Sequence, residues 1–192
     1  LGGHPGLNLN WGRKAAQVES YDPVLDLWTA RADMHTARGA LVAGVVNGKI
    51  CAIGGADDDG VIASTEEYDP VADRWTKKRD MPTARAGASA VVVNGLIYVI
   101  GGVDAPGAPS VAVEVYDPSR DRWRRLAGLP NPRSWAAAAT HEGLIYLLGG
   151  EVGGGLAPIL DSVLVYNTGF RGPFSVSPRD SVITTWSTLK VE

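Results

Sequence analysis

Apolar residues run along this chain in short alternating or continuous bursts, and each burst ends at a turn signal. In "VVVNGLIYVIGG", from Val91 to Gly102, two strand-like runs flank Asn94-Gly95, the dipeptide best suited to a two-residue type I′ hairpin. The arrangement returns as "VVNGKICAIGG" from Val45 to Gly55 and as "THEGLIYLLGG" from Thr140 to Gly150. A hairpin that recurs with the same ending is one part of a repeating unit.

The glycine pairs set the period. Gly2-Gly3, Gly54-Gly55, Gly101-Gly102 and Gly149-Gly150 are spaced 52, 47 and 48 residues apart. Aromatic residues follow in step: "YDPVLDLW" begins at Tyr21, "YDPVADRW" at Tyr68 and "YDPSRDRW" at Tyr116, each ending in a tryptophan, Trp28, Trp75 or Trp123. "MHTARG", "MPTARAG" and "LPNPRS" then lead from Met34, Met81 and Leu129 into the next hairpin. Each unit predicts four strands: the two hairpin arms, an alternating segment such as "VAVEVYD", and a short strand after the tryptophan. Asp-Pro sets a turn, and the aspartate three residues past the proline is expected to hydrogen-bond the turn backbone. The glycine pair is expected to take up backbone angles closed to other residues and to let an aromatic ring lie against the main chain. Four strands of this size cannot bury both faces alone, so the units must stack around an axis.

A double glycine, a tyrosine and a tryptophan repeated at this period resemble the kelch repeat, and the resemblance covers nearly the whole chain. It implies an all-β fold, a kelch β-propeller of four-stranded antiparallel blades, within a general range of ~4 to 8 blades per ring. The chain divides into a partial blade over 1–33 and blades over 34–80, 81–128 and 129–192, about three and a half in all. The ring is therefore expected to be incomplete, and open arcs of this kind are expected to aggregate or to pair. For function, the resemblance implies a non-catalytic module that presents the loops after the glycine pairs and before strand one to a protein or peptide partner. The alternatives are a sugar-directed propeller enzyme, as in the family's sialic acid mutarotases, and an inactive fragment of a longer propeller. Copper chemistry of the galactose oxidase type is disfavoured, because His4, His35 and His141 lie in separate units.

The last unit departs from the pattern. Asn167-Thr168 replaces Asp-Pro, and twenty residues separate Tyr166 from Trp186. Either the hairpin carries a long loop or the sequence has left the repeat; the strand composition of "VITTWSTLKVE" favours the loop. Arg38, Arg85 and Arg133 precede strand one, and Glu19, Glu66 and Glu114 lie two residues before the tyrosines, a recurrence that suits a structural ion pair in each blade. Leu164 takes the glutamate's place in the last unit, which singles out Arg133, with Ser134 and Trp135, as a candidate ligand-binding group. In kelch adaptors the residues around this position contact bound peptide, so Ala40, Gly87 and Trp135 acquire a ligand-facing role by resemblance, and Trp135 alone is large enough to stack on a ligand.

Other candidates reduce to structure. Asp57, Asp58 and Asp59 give half of an EF-hand register without its first ligand or flanking helices, and read as a solvated turn able to meet a basic partner. "GGEVGGGL" lacks the lysine and hydroxyl of a phosphate loop and reads as a flexible connection. Cys51, standing where other hairpins have Tyr98 and Tyr146, reads as a buried strand residue. No catalytic residue, metal site or cofactor is assigned. A formal charge of -3 over 192 residues offers no concentrated basic surface for nucleic acid, and no membrane insertion is expected. One cysteine excludes an internal disulfide. The start at Leu1 suggests that the native N-terminus lies upstream, and the compartment is left unassigned, with the cytoplasm as default.

Overall fold

A computed structural model of the protein describes residues 14–104, 107–152, 159–170 and 186–188. Gly2, Gly3, His4 and the connection over 153–158 lie outside the described residues. Two strands, β1 (Val18–Asp22) and β2 (Leu27–Arg31), form a first, two-stranded sheet. The second sheet holds β3 (Val42–Val46), β4 (Lys49–Ile53), β5 (Thr65–Asp69) and β6 (Arg74–Lys78) in chain order. The third repeats this with β7 (Ser89–Val93), β8 (Leu96–Ile100), β9 (Val113–Asp117) and β10 (Arg122–Arg125). The fourth is built from β11 (Ala137–His141), β12 (Leu144–Leu148), β13 (Val163–Asn167) and the short β14 (Ser187–Thr188). All neighbours are antiparallel, and the described residues contain no helix. These sheets are propeller blades in an open arc, as the repeat predicts.

Turn chemistry fixes the registers. Asn47-Gly48 and Asn94-Gly95 take φ of 51° and 75° and of 49° and 72°, left-handed at both positions as a type I′ turn requires. Glu142-Gly143 does the same at 50° and 76°, so a hairpin without asparagine keeps the register His141↔Leu144. In the first three units the fourth strand begins one residue before the tryptophan rather than after it, placing Tyr68 opposite Trp75 and Tyr116 opposite Trp123; in the last unit it does follow the tryptophan. Those rings lie 5.1 and 4.9 Å apart. Tyr166 and Trp186 lie 5.2 Å apart despite the twenty-residue interval between them, so the last unit keeps the aromatic pairing. Exposed Arg74, Lys77, Arg122 and Arg124 line the outer strands, where charge discourages pairing with another sheet edge.

The core lies between blades. One apolar cluster joins Met34, Tyr68 and Trp75 to Val18 and Ala32 of the preceding unit. A second joins Cys51 and Ile53 to Ile97, Val99 and Tyr116, and a third joins Tyr98 and Val115 to Ile145, Leu147 and Tyr166. Burial pushes the Cys51 thiol up to about 12, which keeps it an inert, protonated core residue.

At the outer rim the Tyr-Asp-Pro-x-x-Asp-x-Trp motif has a different division of labour from the one expected. The first aspartate holds the turn: Asp69 accepts from the amides of Val71 and Ala72, as Asp22 does from Val24 and Leu25. The aspartate three past the proline reaches out of its blade. Asp73 accepts from the Tyr68 hydroxyl (2.6 Å) and from the amide of Ala32 in the preceding unit (3.0 Å), while the Trp75 indole donates to the Ala32 carbonyl (2.8 Å). Asp121 and Trp123 grip the amide and carbonyl of Arg79 in the same way, at 2.9 Å each. Asp26, Asp73 and Asp121 all take a left-handed φ.

The glycine pairs are also corrected in detail. Each is left-handed at both positions, but what lies against them is backbone, not an aromatic ring. The Gly55 amide donates to the Arg85 carbonyl (2.8 Å) and that of Gly102 to the Arg133 carbonyl (2.9 Å), each across a blade junction. A side chain on Gly54 would come within 2.6 Å of the Arg85 carbonyl oxygen, and one on Gly101 would collide with that of Arg133.

Two outcomes are expected. Gly48→Ala, where the added methyl meets open space, costs about 1–2 kcal/mol from left-handed strain alone; Gly101→Ala costs measurably more, because the Arg133 carbonyl must also retreat, and denaturant unfolding measures both. Hydrogen bonds from the Ala32 amide and then from Tyr68 hold the Asp73 carboxyl below its ordinary range. Its stabilisation is therefore complete above the unfolded aspartate pKa of about 3.9 and is lost as pH falls through the lower folded value. Asp73→Asn, which keeps the acceptor oxygen but not the charge, flattens that acid limb in thermal melts between about pH 2 and 6.

Candidate functional site

The innermost strands β3, β7 and β11 lie side by side, and the residues leading into them gather at one end of the arc. Ala40, Gly87 and Trp135, the equivalent positions of three blades, share a left-handed backbone with φ of 52°, 58° and 56°. They are chained by hydrogen bonds: the Gly87 amide donates to the Ala40 carbonyl (3.0 Å) and the Trp135 amide to the Gly87 carbonyl (2.9 Å). The Ser89 hydroxyl reinforces the line by donating to the Ala136 carbonyl at 2.5 Å.

Trp135 is the outlier. A bulky residue seldom adopts positive φ, and here the repeat geometry imposes it. Its indole lies against Gly87, where a Cβ would come within 2.7 Å of the ring, and it is nevertheless 52% exposed. Flanking positions depart in step. The antiparallel bridge that pairs Gly39 with Ala56 and Ala86 with Val103 pairs Ser134 with Glu151 in the fourth blade. Ala56, Ala86 and Val103 are buried; Glu151 is half-exposed, and the Ser134 hydroxyl is buried with no hydrogen-bond partner among the described residues. The fourth blade thus brings an aromatic face, a carboxylate and a hydroxyl to a place where its neighbours bring small residues. Glu151 was missed by motif reading, although aligning the residue after each glycine pair shows glutamate standing where Ala56 and Val103 do.

Beneath this mouth each arginine ties its own blade together. Arg38 pairs with Glu66 and donates to the carbonyls of Gly54 (3.0 Å) and Ser64 (2.9 Å). Arg85 pairs with Glu114 at 2.8 Å and donates to Ala112 at 2.6 Å; burial lowers its pKa while Glu114 raises it. Arg133 is equally buried, at 1% exposure, and its guanidinium goes to the Gly149 carbonyl (2.9 Å) and to Ser162. No carboxylate faces it among the described residues, and burial lowers its pKa unopposed. It underlies the mouth rather than projecting into it.

The other candidates lie apart. Asp57 accepts from the amides of Asp59 and Gly60, and Asp58 is an exposed partner of Lys14 at 3.2 Å. Asp57, Asp58 and Asp59 therefore form a surface turn on the second blade. His35 contacts Glu66, and His141 is exposed on the hairpin of the fourth blade.

The kelch motif model matches residues 37–82 and 84–130, two adjacent repeats. These two units are therefore kelch repeats, and the blade architecture is that of a kelch-type propeller. The solved structure of YjhT superposes on 93% of this chain with a TM-score of 0.72 at 18% sequence identity. The chain spans 66% of that structure's length, and at such identity the likeness carries the fold alone. No curated protein matches the sequence. The fold itself is widespread, with 171 solved chains matching, so function must be argued from the mouth and not from the architecture.

Glu114→Leu recreates in the third blade the uncompensated arginine of the fourth. It should destabilise the protein by about 3–5 kcal/mol, the usual penalty for stranding a buried charge, as read from chemical denaturation.

Proposed function

We propose that this chain is a non-catalytic binding module and that a protein or peptide segment docks at the axial mouth, centred on Trp135. The observation that carries this reading is the asymmetry of the mouth: three equivalent loops share one backbone, and only the fourth blade displays an exposed Trp135 beside a half-exposed Glu151, over the buried Ser134. Rigid aromatic surface beside a few polar groups is what interaction hot spots are made of. Kelch repeats commonly mediate protein interactions, which agrees with the reading. Arg133 serves as the buried support of this surface, and the Asp57–Asp59 turn is a second, acidic contact point for a basic segment.

Peptides selected from a random library against the immobilised chain provide the test. Trp135→Ala should weaken their binding by about 2 kcal/mol or more while the circular dichroism spectrum is unchanged. Binding indifferent to Trp135→Ala would overturn the site. Faster anomer exchange of a free sugar, abolished by Glu151→Gln, would replace the binding role with an enzymatic one.

A further inference from the structure

Positive charge is concentrated on the outer strands of the two middle blades. The stretches "RWTKKR" (74–79) and "RDRWRR" (120–125) together hold eight of the 18 basic residues and, at Asp121, one of the 21 acidic ones. The net charge of -3 conceals this separation. All eight cations except Lys78 are exposed. Lys78, Arg120 and Arg125 each reach a carboxylate, but Arg74, Lys77, Arg79, Arg122 and Arg124 make no ion pair among the described residues. The aspartates close by are already engaged: Asp69 and Asp117 hold turn amides, and Asp73 and Asp121 grip the backbone of the preceding blade. Exposed Asp80 closes the first stretch. Guarding a sheet edge needs only a charge or two, and β2, the outer strand of the first unit, carries Arg31 alone. Edge protection therefore leaves the concentration on β6 and β10 unexplained.

Strand alternation sorts these residues between the two faces of each blade. Trp75 faces the preceding unit, since its indole donates to the Ala32 carbonyl, so Arg74, Thr76 and Lys78 face the third blade. Trp123 faces the second blade, where its indole donates to the Arg79 carbonyl. Arg125 shares that face, its guanidinium donating to the Pro82 carbonyl (3.4 Å) and to Glu114 (3.3 Å). The rim between the second and third blades thus collects Arg74 and Lys78 from one wall and Arg125 from the other. Arg79 sits at the junction itself, its backbone held by Asp121 and Trp123. β6 and β10 are the last strands of their sheets, so each has one edge without a strand partner among the described residues.

We propose that an acidic segment of a partner protein, extended and carrying Asp or Glu at alternate positions, adds to the edge of β6 as a fifth strand and lays its carboxylates into this rim. Alternate residues of any strand are about 6.6 Å apart, so carboxylates on one face of the added strand keep step with Arg74 and Lys78 on β6. Opposite charges directly across a strand pair are stabilising, and Arg79 and Arg125 close the site from the far wall. The charges that repel a second copy of the same edge thereby select an acidic strand. A polypeptide fits better than another polyanion because the edge offers backbone donors and acceptors in strand register as well as charge, and phosphates answer only the charge. The rim lies on the outside of the arc, apart from the axial mouth, and its partner is independent of the ligand bound there.

Fluorescence anisotropy with a labelled peptide of alternating glutamate and threonine tests this on the whole chain. The peptide should bind, with an affinity that falls as sodium chloride is raised. Two N-methylated versions keep its charge, each with one alternate set of amides blocked. The version that blocks the amides facing β6 should bind about tenfold or more weaker, while the other binds as the parent does. Arg74→Glu with Arg79→Gln should also weaken the parent peptide about tenfold, with circular dichroism confirming the fold; the methylated pair tests the proposal on the unsubstituted chain if that variant folds poorly. Absence of binding at low salt, or equal affinity for the parent and both methylated peptides, would overturn the added strand. So would single-stranded oligothymidylate that binds more tightly than the peptide at the same salt and is lost with the same substitutions.

Discussion

Two blade junctions among the described residues turn on one peptide group each: the carbonyl of the arginine that leads into strand one, Arg85 or Arg133. It can approach the preceding blade only because two successive glycines there take left-handed angles and offer an amide with no side chain in the way. That contact sets the spacing of the blades near the axis. The apolar clusters, which form between sheets and not within them, can close only at that spacing. The same arginine's side chain ties strand one to strand three of its own blade, so a single residue couples the inside of one blade to its contact with the next.

Much of this was legible in the sequence, because the repeat displays it several times. The glycine pairs, the Asn-Gly hairpins and the fixed Tyr-to-Trp interval identify four strands per blade and their order, since each depends on a conformational rule that acts over a few residues. What was not legible acts between blades. Nothing local to Asp73 shows that its carboxylate bonds Ala32, 41 residues earlier, so it reads naturally as a turn residue. A glycine pair likewise announces backbone freedom without naming what approaches, and here a carbonyl approaches where a ring was expected. Arg133 looked like a free ligand-binding group because its glutamate is missing, yet its carbonyl partners on Gly149 and Ser162 keep it buried.

The mouth and the two end units show how a repeat acquires individuality. The backbone at Ala40, Gly87 and Trp135 is nearly identical, so the fourth blade differs by what it displays on a shared frame. The cost is borne by Trp135, a large residue held at a left-handed angle that suits glycine. The departure at Leu164 belongs to another category: it removes the carboxylate that faces the arginine in the second and third blades, whereas Asn167 keeps the turn by accepting from the Gly169 amide.

The side-chain hydrogen bonds that span one junction are of similar reach along the chain: 41 and 43 residues between the first two units, 42 and 44 between the next two, and 47 from Ser89 to Ala136. Loop closure therefore costs about the same at each junction however many blades the ring contains. During synthesis, a blade can lock onto its predecessor once a single further repeat has left the ribosome, and the propeller grows in one direction without waiting for its far end.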